Sequence, residues 1–328
     1  MTLNRRDFLG GSAAVLAASA FGAPLEDKAE NKAEKLPLPE LLGSYWTFAG
    51  GALPHTDKEF ATFEFRDRVE ALSKAGFRGM GLWHADLAKI LEKRTLREMK
   101  SIFADNGIKH VELEFLTGWF LEGDKKKASD ERKKLLLTAA EVFGARHVKV
   151  GDFDNSRIEM PKLIEAWRAL CKDGAEHGTR ILFELMPFSM LTSLKDTLTM
   201  LDSAGAKNGG IMFDFWHIEK LRIPYEELRA VPLKYILGVE MNDGYRKPPP
   251  EWSLVEETLN HRKFCGTGEF DVHAMISALA VAGFHGPYGI EVLSTDVRKL
   301  PLEEVVTTAF TTTTAALDCE CRARYNSH

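Results

Sequence analysis

From Gly43 onward, short apolar runs alternate with longer stretches of helical periodicity. The clearest unit spans residues 180–217: R-I-L-F-E-L-M-P, a helix-sized interval, then G-G-I-M-F-D-F-W-H. Apolar runs of this length, bounded by turn residues, suit strands buried on both faces, as in a parallel sheet. Between them residues 191–204 have helical length and period, and Gly205 is placed to stop the helix. Both strands of this unit carry an acid at the C-terminal end, Glu184 and Asp214.

The same pattern recurs along the chain. It predicts strands at 43–48, 77–83, 109–115, 147–150, 180–186, 210–215, 234–240 and 287–293. Helices are expected over 58–75, through Asp105, over 126–143, 158–177, 190–204, 224–230 and 271–282, and from 301 to 318. Strand–helix alternation at spacings of about 30 residues implies βαβ units and a parallel sheet. Eight such units point to α/β architecture closed as a single-domain (β/α)8 TIM barrel, whose chemistry sits at the C-terminal ends of the strands. A doubly wound open sheet is the rival topology, but no G-x-G-x-x-G follows the first strand.

The N-terminus sits outside this pattern. Arg5-Arg6-Asp7-Phe8-Leu9 precedes an uncharged, Ala-rich run, and small residues at 18–20 offer a cleavage site. This resembles a twin-arginine export signal over residues 1–24, which implies a periplasmic or other extracytoplasmic location. The apolar run is too short and Gly-interrupted for a permanent membrane span. Residues 25–40, rich in Glu, Lys and Pro, read as a linker; the barrel then occupies 41–320, with a tail at 321–328.

Composition changes little. The 328 residues are 45% hydrophobic and 28% charged, with a formal charge of −5. No basic stripe appears, which argues against nucleic acid as a partner. Cys171, Cys265, Cys319 and Cys321 lack zinc spacing and are assigned no chemistry.

The candidate chemistry lies where strands five to eight end, at Glu184, Asp214, Glu240 and Glu291. Four neighbouring carboxylates repel one another unless protonated or bridged by a cation, and an oxygen-rich cage suits Mn²⁺, Mg²⁺ or Co²⁺. Trp83, His84 and Trp119 follow strands two and three and are expected at the rim, where an aromatic can stack on a sugar. Lys149 alternates with Val148 and Val150 and is expected to point into the barrel as an ion-pair partner. Glu112 and Glu114 share one face of their strand. Residues 245–252, with three consecutive prolines, form a stiff insert expected to shape the pocket from above.

Three stretches resemble the xylose isomerase-like TIM barrels, a group of divalent-metal sugar isomerases and epimerases. They are F-E-L-M-P around Glu184, F-D-F-W-H from Phe213 to His217, and the run from His261 to Ser294 with its R-x-x-x-G-x-G-x-x-D loop. The resemblance covers about residues 40–318. It implies that Glu184, Asp214 and Glu291 are metal ligands, that Glu184 and Glu291 exchange a proton on opposite faces of the carbon beside a ketose carbonyl, and that His217 and Arg262 contact substrate. The family pattern His-x-x-Asp at strand seven is here Glu240-Met-Asn-Asp243. The implied cofactor is a divalent ion, Mn²⁺ first, with Mg²⁺, Co²⁺ or Zn²⁺ as alternatives. The implied partner is a small carbohydrate; a homo-oligomer stays open, and no stable membrane insertion is expected after signal removal. Two other readings stand beside the isomerase or epimerase. One is a lyase or hydrolase-like enzyme on 3-keto-glycosides using the same base; the other is an inactive carbohydrate-binding barrel. A nuclease would need a histidine-rich zinc cluster and a basic surface, and the chain has neither.

Overall fold

The computed structural model describes residues 38–325, with side chains as far as Asp318. The expected export signal, most of the linker and the last three residues of the expected tail lie outside these bounds. Eight parallel strands close into a barrel in strict sequence order. They are β1 (Leu41–Gly43), β2 (Gly79–Trp83), β3 (His110–Leu116), β4 (His147–Val150), β5 (Arg180–Glu184), β6 (Gly209–Asp214), β7 (Ile236–Met241) and β8 (Tyr288–Ile290). Among the described residues no helix is long and apolar enough to cross a membrane.

Most predicted elements appear within a few residues of their expected bounds, and the departures have local causes. The first strand ends at Gly43, because Tyr45–Thr47 turn into a 3-10 helix whose aromatic rings pack against Trp83. The helix expected from residue 58 begins only at Phe65, after a loop. The segment after β2 forms two helices, His84–Leu91 and Leu96–Asp105, divided where Thr95 and Glu98 build a capping box. The last helix runs on from Leu302 to Tyr325 instead of stopping near residue 318. Gly205 ends the helix Leu194–Ala204 in the left-handed region, with φ 67°, as its position predicts.

The outer faces of the strands and the inner faces of the helices form one large apolar cluster. The barrel interior is different. Glu112 and His147 lie on one level, and Glu114, Lys149 and Glu240 lie above, all buried. Period-two alternation puts Glu112 with Glu114 and His147 with Lys149 on the inward faces of β3 and β4, so both glutamates are buried. Gly289 keeps β8 slim beside this column, since a Cβ there would sit 3.0 Å from the Glu240 side chain.

Candidate active site

Registration of the sheet gathers the four acids. Asp214 and Glu240 are direct neighbours across β6 and β7, Glu184 closes β5, and Glu291 follows the last residue of β8. One oxygen of each lies within 4.8 Å of the others, and all four residues are buried. By spacing alone, this cluster could hold a metal ion.

The oxygens, however, are already engaged. Lys149 Nζ donates to Glu240 Oε1 and Oε2 at 2.8 Å each and to Glu291 Oε1 at 2.9 Å, and it lies 2.8 Å from Glu114 Oε2. Ser44 adds a hydroxyl donor to Glu240 at 2.6 Å. Arg262 Nη1 bridges Asp214 Oδ2 and Glu291 Oε2, both at 2.9 Å. Asp214 also caps the helix Phe215–Leu221 by accepting the His217 N–H at 3.0 Å, and it accepts Asn242 Nδ2 at 2.7 Å. Glu184 alone of the four has no lysine or arginine donor on it; His217 Nε2 lies 3.4 Å from its Oε1. An ion could therefore enter only by displacing Lys149 and Arg262. As arranged, the donor set does not fit a divalent metal.

Electrostatics sort the acids further. Burial, with the nearby Glu291 charge, pushes the Glu184 carboxyl up to about 7 against the pull of Lys149 and Arg262. Burial also acts on Glu291, but Lys149 and Arg262 outweigh it and hold that carboxyl below its usual range. Burial pushes the His217 imidazole down to about 3, so it is neutral at physiological pH. Its Nδ1 is buried without a partner.

A cavity of about 390 Å³ opens onto this cluster. Its floor includes Glu114, Lys149, Glu184, His217, Arg262 and Glu291, whereas Asp214 and Glu240 do not reach it. The facing wall is aromatic: Trp46, Trp83, Phe115, Phe153 and Phe188. Trp46 and Trp83 lie 4.9 Å apart, and Phe115 stacks on Phe153 at 4.8 Å. Helix Leu254–Asn260 supplies Val255, Thr258 and Leu259 to the wall. The proline run before it stays off the cavity, and its Trp252 stacks on His261 at 3.5 Å.

The R-x-x-x-G-x-G-x-x-D loop has a visible physical reason. The Asp243 carboxylate accepts four backbone N–H groups, from Gly244, Gly266, Gly268 and Phe270, at 2.8 to 3.0 Å. A Cβ at Gly268 would meet that carboxylate at 2.2 Å. The loop so pinned delivers Arg262, whose guanidinium is braced by Thr258 Oγ1 at 2.8 Å.

Two expected rim residues sit elsewhere. Trp119 packs into the core against Phe120 and Trp167, because the chain turns inward after β3. His84 lies behind Trp83, accepting the Phe115 N–H at 3.4 Å, and does not line the cavity. Sequence reading left Glu114, Trp46, Phe153 and Phe188 without a role at the cavity. The E-L-E alternation on β3 marks Glu114; isolated loop aromatics carry no comparable signal.

The sequence model of the xylose isomerase-like TIM barrel matches residues 69–310. A 3-dehydroshikimate dehydratase from Pseudomonas putida is 21% identical over 244 residues, covering 73% of this chain and 37% of that protein. The chain thus spans little more than a third of that relative's length. An inosose isomerase from Bacillus velezensis is 23% identical over 240 residues, covering 70% and 84%. Among solved structures, an L-ribulose 3-epimerase shares the fold with a TM-score of 0.65 at 16% identity, over 89% of this chain and 98% of that one.

Proposed function

The chain belongs to the xylose isomerase-like TIM barrels, and on that footing we propose that it is a sugar isomerase or epimerase that removes the proton beside the carbonyl of a keto-sugar. The observation that carries this reading is Glu184. It is the one carboxylate of the cluster free of a cation, it faces the cavity, and burial holds its carboxyl at about 7. A general base works best when its pKa lies near the operating pH.

Around that base the chain supplies the remaining parts. Arg262 and neutral His217 sit beside Glu184 on the cavity floor and orient the substrate oxygens. Glu291 is the carboxylate to which the family resemblance assigns the opposite face of the same carbon. The aromatic wall offers flat apolar surface to a sugar ring and excludes water from the developing enediolate. The divalent ion implied by the resemblance, Mn²⁺, Mg²⁺, Co²⁺ or Zn²⁺, would need oxygens that Lys149 and Arg262 hold.

A second reading has its own support. One curated relative is a dehydratase, and the same proton removal can expel a leaving group from the next carbon. On an oxidised glycoside this gives a lyase. The two readings separate in D₂O with ketohexoses, inososes and 3-keto-glycosides as probes. Epimerisation places deuterium beside the recovered carbonyl, and elimination releases an aglycone and a conjugated, ultraviolet-absorbing ketone. Neither exchange nor elimination across the panel would overturn both. Export by the twin-arginine route is part of the proposal and is checked by fractionating cells that express the full chain beside one with Arg5 and Arg6 changed to Lys.

A further inference from the structure

We propose that the ammonium of Lys149 is the resident cation of this site, standing in the carboxylate cage in place of a divalent metal and stabilising the enediolate oxygen. The inference rests on the enolisation reading above and gives that reaction its source of positive charge. Three independent features of the geometry point to it.

The first is the bonding of the cage. The three donors of Lys149 go to Glu114, Glu240 and Glu291, and Arg262 ties Asp214 to Glu291. Two internal cations thus supply the charge a divalent ion would bring, and they use the lone pairs it would need. The second is where each residue faces. Lys149 and Arg262 reach the cavity floor, while Glu240 and Asp214 stand behind them as counter-ions. A cage built to present a metal would turn those two carboxylates toward the ion's open side. The third is position 240 itself. A neutral imidazole there could ligate a metal but would offer an ammonium one acceptor at most; a glutamate sets both oxygens on Nζ.

The step balances without a cofactor. The C–H bond beside the carbonyl breaks and its proton passes to the Glu184 carboxylate. The electron pair left on carbon forms the C=C bond, and the carbonyl π pair moves onto oxygen. That oxyanion takes a Lys149 N–H in exchange for one of the cavity-facing carboxylates, Glu291 or Glu114, while Glu240 holds the amine from behind. Such a fixed charge, aimed at a developing oxyanion in a dry site, is the usual source of large rate effects. Held by three carboxylates, the amine stays charged and does not attack the carbonyl as a nucleophile.

The test uses the full purified chain and Mn²⁺ alone as the probe, followed by calorimetry or electron paramagnetic resonance. Wild type is expected to carry no stoichiometric metal on elemental analysis and to bind Mn²⁺ no tighter than millimolar. Lys149→Met, which empties the cage of its ammonium, is expected to gain Mn²⁺ affinity by about 100-fold or more, about 2.7 kcal/mol. Lys149→Arg, which keeps the charge, is expected not to gain it. Stoichiometric Mn²⁺ in wild type at micromolar affinity would overturn the inference, and that result requires no variant to fold. Deuterium exchange into a keto-sugar keeps the two proposals apart. Exchange that survives EDTA supports Lys149 as the cation, whereas exchange that appears only on adding Mn²⁺ overturns it and leaves the enolisation reading standing. Absence of exchange under both conditions overturns the enolisation reading and, with it, the role of Lys149 toward an enediolate.

Discussion

The two sides of the cavity are built on opposite principles. The side fed by β1 to β3 and the loop after β4 is a stack of rings, from Trp46 and Trp83 to Phe115 and Phe153. The side fed by β5 to β8 is a mesh of charges in which Asp214, Glu240, Glu291, Lys149 and Arg262 satisfy one another. Rings bind by area and tolerate change, because each contact is weak and non-directional. Buried charges are specific and unforgiving, because a partner removed leaves an ion stranded in low dielectric. On the proposed function, recognition and chemistry occupy separate arcs of one barrel, with β4 and its Lys149 on the boundary.

The sharpest break in that contrast is Glu184→Gln. It removes the proposed base while keeping shape, so deuterium exchange into a keto-sugar should fall by about 10²–10⁴-fold. The melting temperature should hold or rise, since no cation loses its partner. Next comes Arg262→Met. It takes from Asp214 its only cation and leaves Glu291 with Lys149 alone, and should lower unfolding free energy by about 3–5 kcal/mol, measured by urea titration. The aromatic arc should respond more gently. Trp83→Leu loses a ring contact of about 1 kcal/mol, read as a rise of about fivefold in KM with kcat little changed. Trp119→Phe is the control for that arc: it lies in the core, so it should cost stability and leave KM alone.

A separate expected effect concerns acid stability. Burial, with Arg132 nearby, holds His84 down to about 3, whereas an unfolded imidazole titrates near its ordinary value. Between those limits the unfolded chain binds the extra proton, so stability falls as pH drops from about 6.5 toward 3. His84→Asn keeps an acceptor for the Phe115 N–H and cannot charge. Its melting temperature should decline less than that of wild type between pH 7 and pH 4.

Much of this was legible in the chain because the barrel repeats one simple rule. Apolar runs closed by Glu184 and Asp214 announce both the strand and its catalytic end, and Gly205 announces the turn between them. Strand β4 was legible to the residue, 147–150, since alternation over H-V-K-V leaves one choice of face. What the sequence hid was pairing. The inward direction of Lys149 follows from period two, but the three carboxylates meeting on its amine come from β3, β7 and the end of β8, far apart in the chain. The aromatic wall was hidden for the same reason: Trp46 lies in what read as a strand and forms a 3-10 turn, and Trp119 follows a strand yet turns into the core. Periodicity assigns a face; it does not say which loop ring reaches over it.

Asp243 carries one further consequence. A single carboxylate orders the stretch from Gly244 to Phe270 at both ends through backbone groups alone. Its grip is indifferent to the side chains at exposed positions such as Lys247 and Glu251 along that stretch. The loop is therefore a mounting bracket, fixed at its bolts and open to variation between them. Arg262 keeps its aim through such changes, and the ordering entropy of the bracket is met at folding, before any ligand arrives.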